Sequence, residues 1–143
     1  MMGDDRAKRD ILLVALQAAP LDRLRLMKTA FLLWHRSGRP REGPFHFQPY
    51  LYGPCAFDLY STLTDLVDRG LITTDPSQPP RWTDYRLTPA GREAAERAAE
   101  RLGRRTAARL TEIAHWTSRQ SFRSLLDVVY EEAPDFAVRS VLR

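Results

Sequence analysis

Along most of this chain the apolar residues recur at every third or fourth position, and only two short stretches alternate. Ile11, Leu12, Ala15 and Leu16 make a helical stripe behind Asp4, Asp5 and Asp10, and Pro20 ends it. Asp22 is placed to cap a second helix whose stripe is Leu24, Met27, Phe31 and Trp34. Ser37-Gly38-Arg39-Pro40 stops that helix, and residues 39–44 read as a loop. Phe45, Phe47 and Leu51 alternate with polar residues as a short strand, with Pro49 marking an edge or the end of pairing. Tyr52-Gly53-Pro54 reads as a sharp turn that starts a helix on its proline. That helix runs to about Arg69, burying Phe57, Tyr60, Leu63 and Val67 together with Leu59 and Leu66, and Gly70 closes it.

Leu71 to Thr74 is then a strand, and Trp82 to Thr88 its partner. The tip between them, residues 75–81, holds three prolines and is too long for a tight hairpin turn. Thr88-Pro89 opens a further helix carrying Ala94, Ala95, Ala98, Ala99 and Leu102, with Glu93–Arg97 and Glu100–Arg104 spaced as i,i+4 pairs. Gly103 interrupts or weakens it. Leu110, Ile113 and Ala114 continue the helical period. Ser121 is placed to cap a helix with Phe122, Leu125, Leu126 and Val129, which Pro134 ends, and residues 137–142 make a last turn or two. Two helices, a short strand, a third helix and a loose-tipped hairpin are the layout of a winged helix. The expected fold is mainly α with a small antiparallel β-sheet, as one domain: a winged helix-turn-helix core over 1–88 and a C-terminal helical extension over 89–143.

Composition narrows the class. A chain of 143 residues that is 43% hydrophobic and 28% charged suits a single globular core. No run approaches the roughly 20 apolar residues that cross a bilayer, and Ile11–Leu16 is too short for a signal peptide. A cytoplasmic protein with no membrane partner is the expectation. The lone Cys55 excludes an internal disulfide and a cysteine-based zinc cluster, and reads as a small packed side chain on the third helix. His35, His46 and His115 form no ligand motif; there is no GxGxxG, no phosphate-binding Gly-rich loop and no serine elbow. No catalytic residue, metal site or cofactor is expected.

The net charge is +4 with a pI near 9.6, and the cations are almost all arginine, which suits bidentate phosphate contacts. Their distribution is unusual for a DNA reader. The third-helix segment 54–75 carries Asp58, Asp65, Asp68 and Asp75 against Arg69 alone. The side chains there that could read bases are Ser61 and Thr62, with Asp58 accepting from cytosine at best. The candidate phosphate contacts are therefore Arg36, Arg39 and Arg41 before the first strand, Arg81 at the tip and Arg86 on the returning strand. Tyr52 and Trp82 are the candidate anchors for a protein partner, whereas Trp34 continues a core stripe.

Four segments carry a family likeness: LRLMKTAFLL at 24–33, FQPYLYGPCAFDLYSTLTDLVDRGLI at 47–72, YRLTPAG at 85–91 and SFRSLLDVVYEEAPDFAVRS at 121–140. In these the chain resembles the YwgA-like proteins of bacteria and archaea and, more distantly, the SocA-like antitoxin (Panacea) domain. Cys55 stands where that group usually has an aromatic residue. The resemblance implies a winged-helix core and little about activity; its antitoxin members act through protein contacts. The expected function is a non-enzymatic DNA-binding or transcription-regulating module with double-stranded DNA as partner, its appended helices either packing back on the core or forming a homodimer interface. The alternative is an adaptor or antitoxin-like module that binds a protein and has lost base reading.

Overall fold

The computed structural model of the chain describes residues 2–79 and 83–141. It is mainly helical: α1 (Met2–Ala18), α2 (Arg23–Arg36), α3 (Phe57–Asp68), α4 (Pro89–Leu102), α5 (Arg104–Ser118) and α6 (Phe122–Glu132), followed by a 3-10 turn at Pro134–Phe136. Two antiparallel pairs interrupt the helices, β1 (Gln48–Tyr50) with β2 (Gly53–Cys55), and β3 (Ile72–Thr73) with β4 (Arg86–Leu87). Leu21 also bridges Tyr85, so the segment between α1 and α2 lies beside the second pair.

The helix ends follow local chemistry. Asp22 accepts from Arg25 N at 2.8 Å, Thr88 Oγ1 from Gly91 N at 3.0 Å and Ser121 Oγ from Ser124 N at 3.1 Å. Gly70, at φ +72, turns the chain after α3, and Leu71 N then reaches back to Leu66 O at 3.0 Å. Gly103, at φ +91, separates α4 from α5, so Glu100 and Arg104 sit on different helices. Arg101 instead ties the end of α4 to Asp10 of α1, with bonds of 2.8 and 2.9 Å.

The core is built around α1. Every residue from Ile11 to Leu16 is buried, because α2, α3, α4 and α5 all pack against this helix. The sequence stripe described one face of a helix that is covered on every side at this level. The apolar stripes of the later helices are used within the chain: Ala94, Ala95 and Ala98, then Leu110, Ile113 and Ala114, then Leu125, Leu126 and Val129 are all buried. The extension packs back on the core.

The region from Phe45 to Asp68 departs most from expectation. Pro54 does not start a helix. It lies in β2, opposite Pro49 of β1, around a two-residue loop at Leu51 and Tyr52. Two prolines can face each other there because alternate antiparallel pairs exchange no N–H bonds, so neither missing donor breaks the ladder. Gly53 sits at φ +86, and a Cβ there would meet Tyr130 at 2.8 Å, so the Tyr-Gly-Pro run is a hairpin turn pressed against α6. Cys55 is accordingly a strand residue, not a helical one. α3 begins at Phe57 and buries Leu59, Thr62, Leu63 and Leu66, leaving Phe57 48% and Val67 44% exposed. The face that the core takes is the one with Thr62, not the one with Phe57 and Val67. At the other end, Pro134 both stops α6 and opens the 3-10 turn, and among the described residues beyond it Ser140 N closes one further turn on Ala137 O at 3.0 Å.

Candidate interaction surface around the third helix

Four buried or half-buried groups hold the hairpin to the core. Lys28 of α2, 2% exposed, donates from Nζ to Pro54 O at 3.2 Å. Burial pulls its ammonium down to about 8, with Cys55 and Asp22 opposing that shift. Ala56 N lies 3.2 Å from Met27 Sδ, and Cys55 Sγ lies 3.9 Å from Tyr60 OH. Burial pushes the Cys55 thiol up and the Tyr60 phenol to about 12, so both keep their protons at neutral pH. A protonated thiol is a poor nucleophile.

α3 projects from this anchor. Phe57 packs edge-on to Tyr50 of β1 at 5.1 Å, and Arg139 caps Tyr50 at 5.6 Å. The C-terminal segment returns to the same place, with Val141 N bonded to Leu51 O at 2.9 Å. Leu51, Phe57 and Val141 are thus exposed apolar side chains gathered around one hairpin tip, with Val138 exposed in the segment leading to it. Lower on the helix, Ser61, Thr64, Val67 and Asp68 face solvent.

The acidic side of α3 is partly neutralised by α1. Asp58 pairs with Lys8 at 3.0 Å, and Asp65 with Arg9 at 3.5 Å and Arg69 at 2.9 Å. Sequence spacing could not show this, because α1 and α3 are some fifty residues apart in the chain. Asp58 Oδ1 is nonetheless buried without a hydrogen bond among the described residues.

The residues singled out from sequence are distributed as follows. Arg36 is bound in a fork to Glu132 of α6, with bonds of 3.0 and 2.5 Å. Arg39 is bound in a fork to Asp135, at 2.7 and 3.0 Å, and its guanidinium covers Trp34 and Phe136. These bonds hold the Glu132 and Asp135 carboxyls below their ordinary values and raise both guanidiniums. Both arginines therefore fasten the C-terminal segment. Arg41 and Arg86 are exposed and have no acidic partner among the described residues. Ser61 is exposed, its hydroxyl bonded to Asp58 O at 2.9 Å. Thr62 is buried, with its hydroxyl bonded to Asp58 O at 3.0 Å. Tyr52 is half-buried with its ring edge-on to Phe122 at 5.7 Å. Arg81 and Trp82 lie outside the described residues.

Phe57 and Val67 were read as core and are the exposed apolar pair of α3. No sequence signal separated them from Leu59 and Leu66, since all four fit the helical period. Compared with known proteins, the chain matches no family model, no curated protein and no solved structure. Among the described residues no helix is long and apolar enough to cross a membrane.

Proposed function

We propose that this chain is a non-enzymatic regulatory module with a winged-helix-type core that acts by binding a protein partner through α3 and the β1–β2 tip. The order α1, bridge residue Leu21, α2, α3, then the β3–β4 pair supports the winged-helix assignment, with α3 where such folds carry the recognition helix. The observation that carries the protein-binding reading is the outward face of α3. It shows Phe57, Val67, Ser61 and Thr64, and its one cation, Arg69, is bonded to Asp65.

Charge and area both favour a protein over a nucleic acid there. A helix lying in a groove between phosphates needs unpaired cations. Drawing Arg36 or Arg39 onto a phosphate means breaking a two-bond carboxylate pair, and charged hydrogen bonds are worth about 1.5–3 kcal/mol. Aromatic side chains are enriched at interface centres, and polar residues form the rim around them.

Arg41 and Arg86, exposed and unpaired among the described residues, favour a second reading: weak, salt-sensitive duplex binding. One pair of measurements separates the two. A photo-reactive side chain in place of Phe57 is expected to crosslink one defined protein in cells, and the crosslink is lost on Val67→Lys. Fluorescence anisotropy with labelled duplex at low salt is expected to show no saturable binding. Saturable binding with a steep salt slope that Arg86→Ala reduces, together with no specific crosslink, overturns the protein reading.

A further inference from the structure

Beside α2 the chain leaves an open pocket of about 360 Å³. It lies between α1, α2, the α4–α5 junction and the loop before β1. Ile11, Leu33 and Phe45 line it and are nearly inaccessible, and Trp34, Phe47 and Leu102, which also line it, are only partly covered. It is a pocket open to solvent along the partly covered Trp34, Phe47 and Leu102, and its walls are mainly apolar.

The loop that walls it is held in place. Trp34 Nε1 donates to Pro40 O at 3.0 Å, and Trp34 lies 5.4 Å from Phe47. A Cβ at Gly43 would meet Trp34 Cδ1 at 2.8 Å, so glycine lets the loop run flat along the indole. The hollow is therefore preformed, as small-molecule sites usually are, and its volume falls within their usual range of about 300–1,000 Å³.

Its polar content is small and specific. Arg101 is the one charged lining residue, and its charge is matched by Asp10 through Nε and Nη2. Nη1 has no hydrogen-bond partner among the described residues. A matched pair with a spare N–H favours a neutral acceptor over an anion. Fourteen residues line the cavity, fewer than the roughly 20–30 a side of a standard protein interface, so a second chain is a poor occupant. For scale, an apolar cavity of about 150 Å³ accepts benzene.

We infer that this cavity is a binding site for an uncharged, mainly apolar small molecule of about a dozen non-hydrogen atoms, with a carbonyl-type oxygen directed at Arg101. A bicyclic aromatic ketone has the required size and chemistry. Its rings would lie between Trp34, Phe47 and Leu102, and its oxygen would accept from Nη1. This inference is independent of the α3 surface.

The test uses the full chain with three probes, 2-acetylnaphthalene, naphthalene and 2-naphthoate, followed by calorimetry and by the Trp34 indole N–H resonance. The ketone is expected to bind one-to-one, to shift the Trp34 signal, and to bind more tightly than the other two. Ala7→Phe and Thr106→Phe, each filling the cavity from a different wall, are expected to weaken it about tenfold or more while circular dichroism stays native. Two variants keep the test open if one fails to fold. The inference is overturned if the ketone does not saturate, if it binds no better than naphthalene or 2-naphthoate, or if every folded variant binds it undiminished.

Discussion

Arg39 reaches across the molecule to Asp135, donating through Nη1 and Nη2 to its two carboxylate oxygens at 2.7 and 3.0 Å. It does so from a left-handed backbone position, φ +53, that non-glycine residues rarely hold. Its Nε also donates to His35 Nδ1 at 3.0 Å, so that ring nitrogen is the acceptor. Two fork-shaped pairs, Arg36–Glu132 and Arg39–Asp135, thus close the C-terminal segment over Phe31, Trp34 and Phe136.

Arg39→Ala should therefore lower stability by about 1–2 kcal/mol, combining a half-exposed ion pair with a cation–π contact. In a double-mutant cycle with Asp135→Asn the coupling should be roughly 0.5–1 kcal/mol, read by urea unfolding. Zero coupling would show that the pair is incidental. Neither Arg36→Ala nor Arg39→Ala should alter any weak duplex affinity by more than about the effect of losing one distant charge.

Acid should release the same segment. The Glu132 and Asp135 carboxyls are depressed by their arginines. The unfolded chain then binds protons first, so the stabilisation is present above the ordinary carboxylate values and is lost as pH falls below them through the depressed folded values. Hydrogen exchange of α6 amides, measured from pH 6 down to pH 3, should accelerate relative to α1. Equal acceleration in both helices would count against this.

Lys28 gives a cost in place of a stabilisation. Its folded value near 8 lies below the ordinary 10.5. Between these values the unfolded chain binds more protons, so the cost of burying the ammonium, fully present below about 8, is relieved as pH rises from about 8 to 10.5. The full span is of the order of 3 kcal/mol. The raised Cys55 and Tyr60 values work against it at the alkaline end, so the quantity to measure is wild type minus Lys28→Met. Relative to the Met variant, wild type should gain stability from pH 7.5 to 9.5. A flat difference would mean that the ammonium is hydrated in the folded chain.

Two glycines should respond very differently to alanine. At Gly91 a Cβ would stand 1.9 Å from Leu71 O, a backbone atom that also accepts from Thr88 N. Gly91→Ala must push β3 away from α4 and should cost at least about 2–4 kcal/mol. Gly103 has open space around it but a φ of +91, so Gly103→Ala should cost only about 1–2 kcal/mol of backbone strain. Thermal unfolding of both variants ranks them, and the reverse order would contradict the contact at Leu71.

The Tyr-x-Leu-Thr-x-x-Gly run shows how much local sequence could carry. Tyr85 pairs with Leu21, Thr88 caps α4, and Gly91 lets α4 approach Leu71. Cap and breaker residues at Asp22, Gly70, Thr88, Gly103 and Ser121 lie beside the atoms they satisfy, so helix existence and most helix ends were legible. The Pro54 helix start was not, because Pro at a first helical position and Pro in a non-hydrogen-bonded strand pair look alike until Pro49 is known to face it.

The sequence by itself determined the helices, most of their caps and breaks and the acidic character of α3, all of which depend on residues within about one turn of each other. Only the tertiary structure decided where the charges ended. Arg36 and Arg39 meet Glu132 and Asp135 from 96 residues away, and Lys8 and Arg9 neutralise α3 from another helix. It also decided which apolar residues stayed outside. Phe57 and Val67 share the helical period of Leu59 and Leu66, and exposure depends on which side of α3 the core takes. Ion pairs and burial belong to the packing of distant segments, so no local pattern contains them.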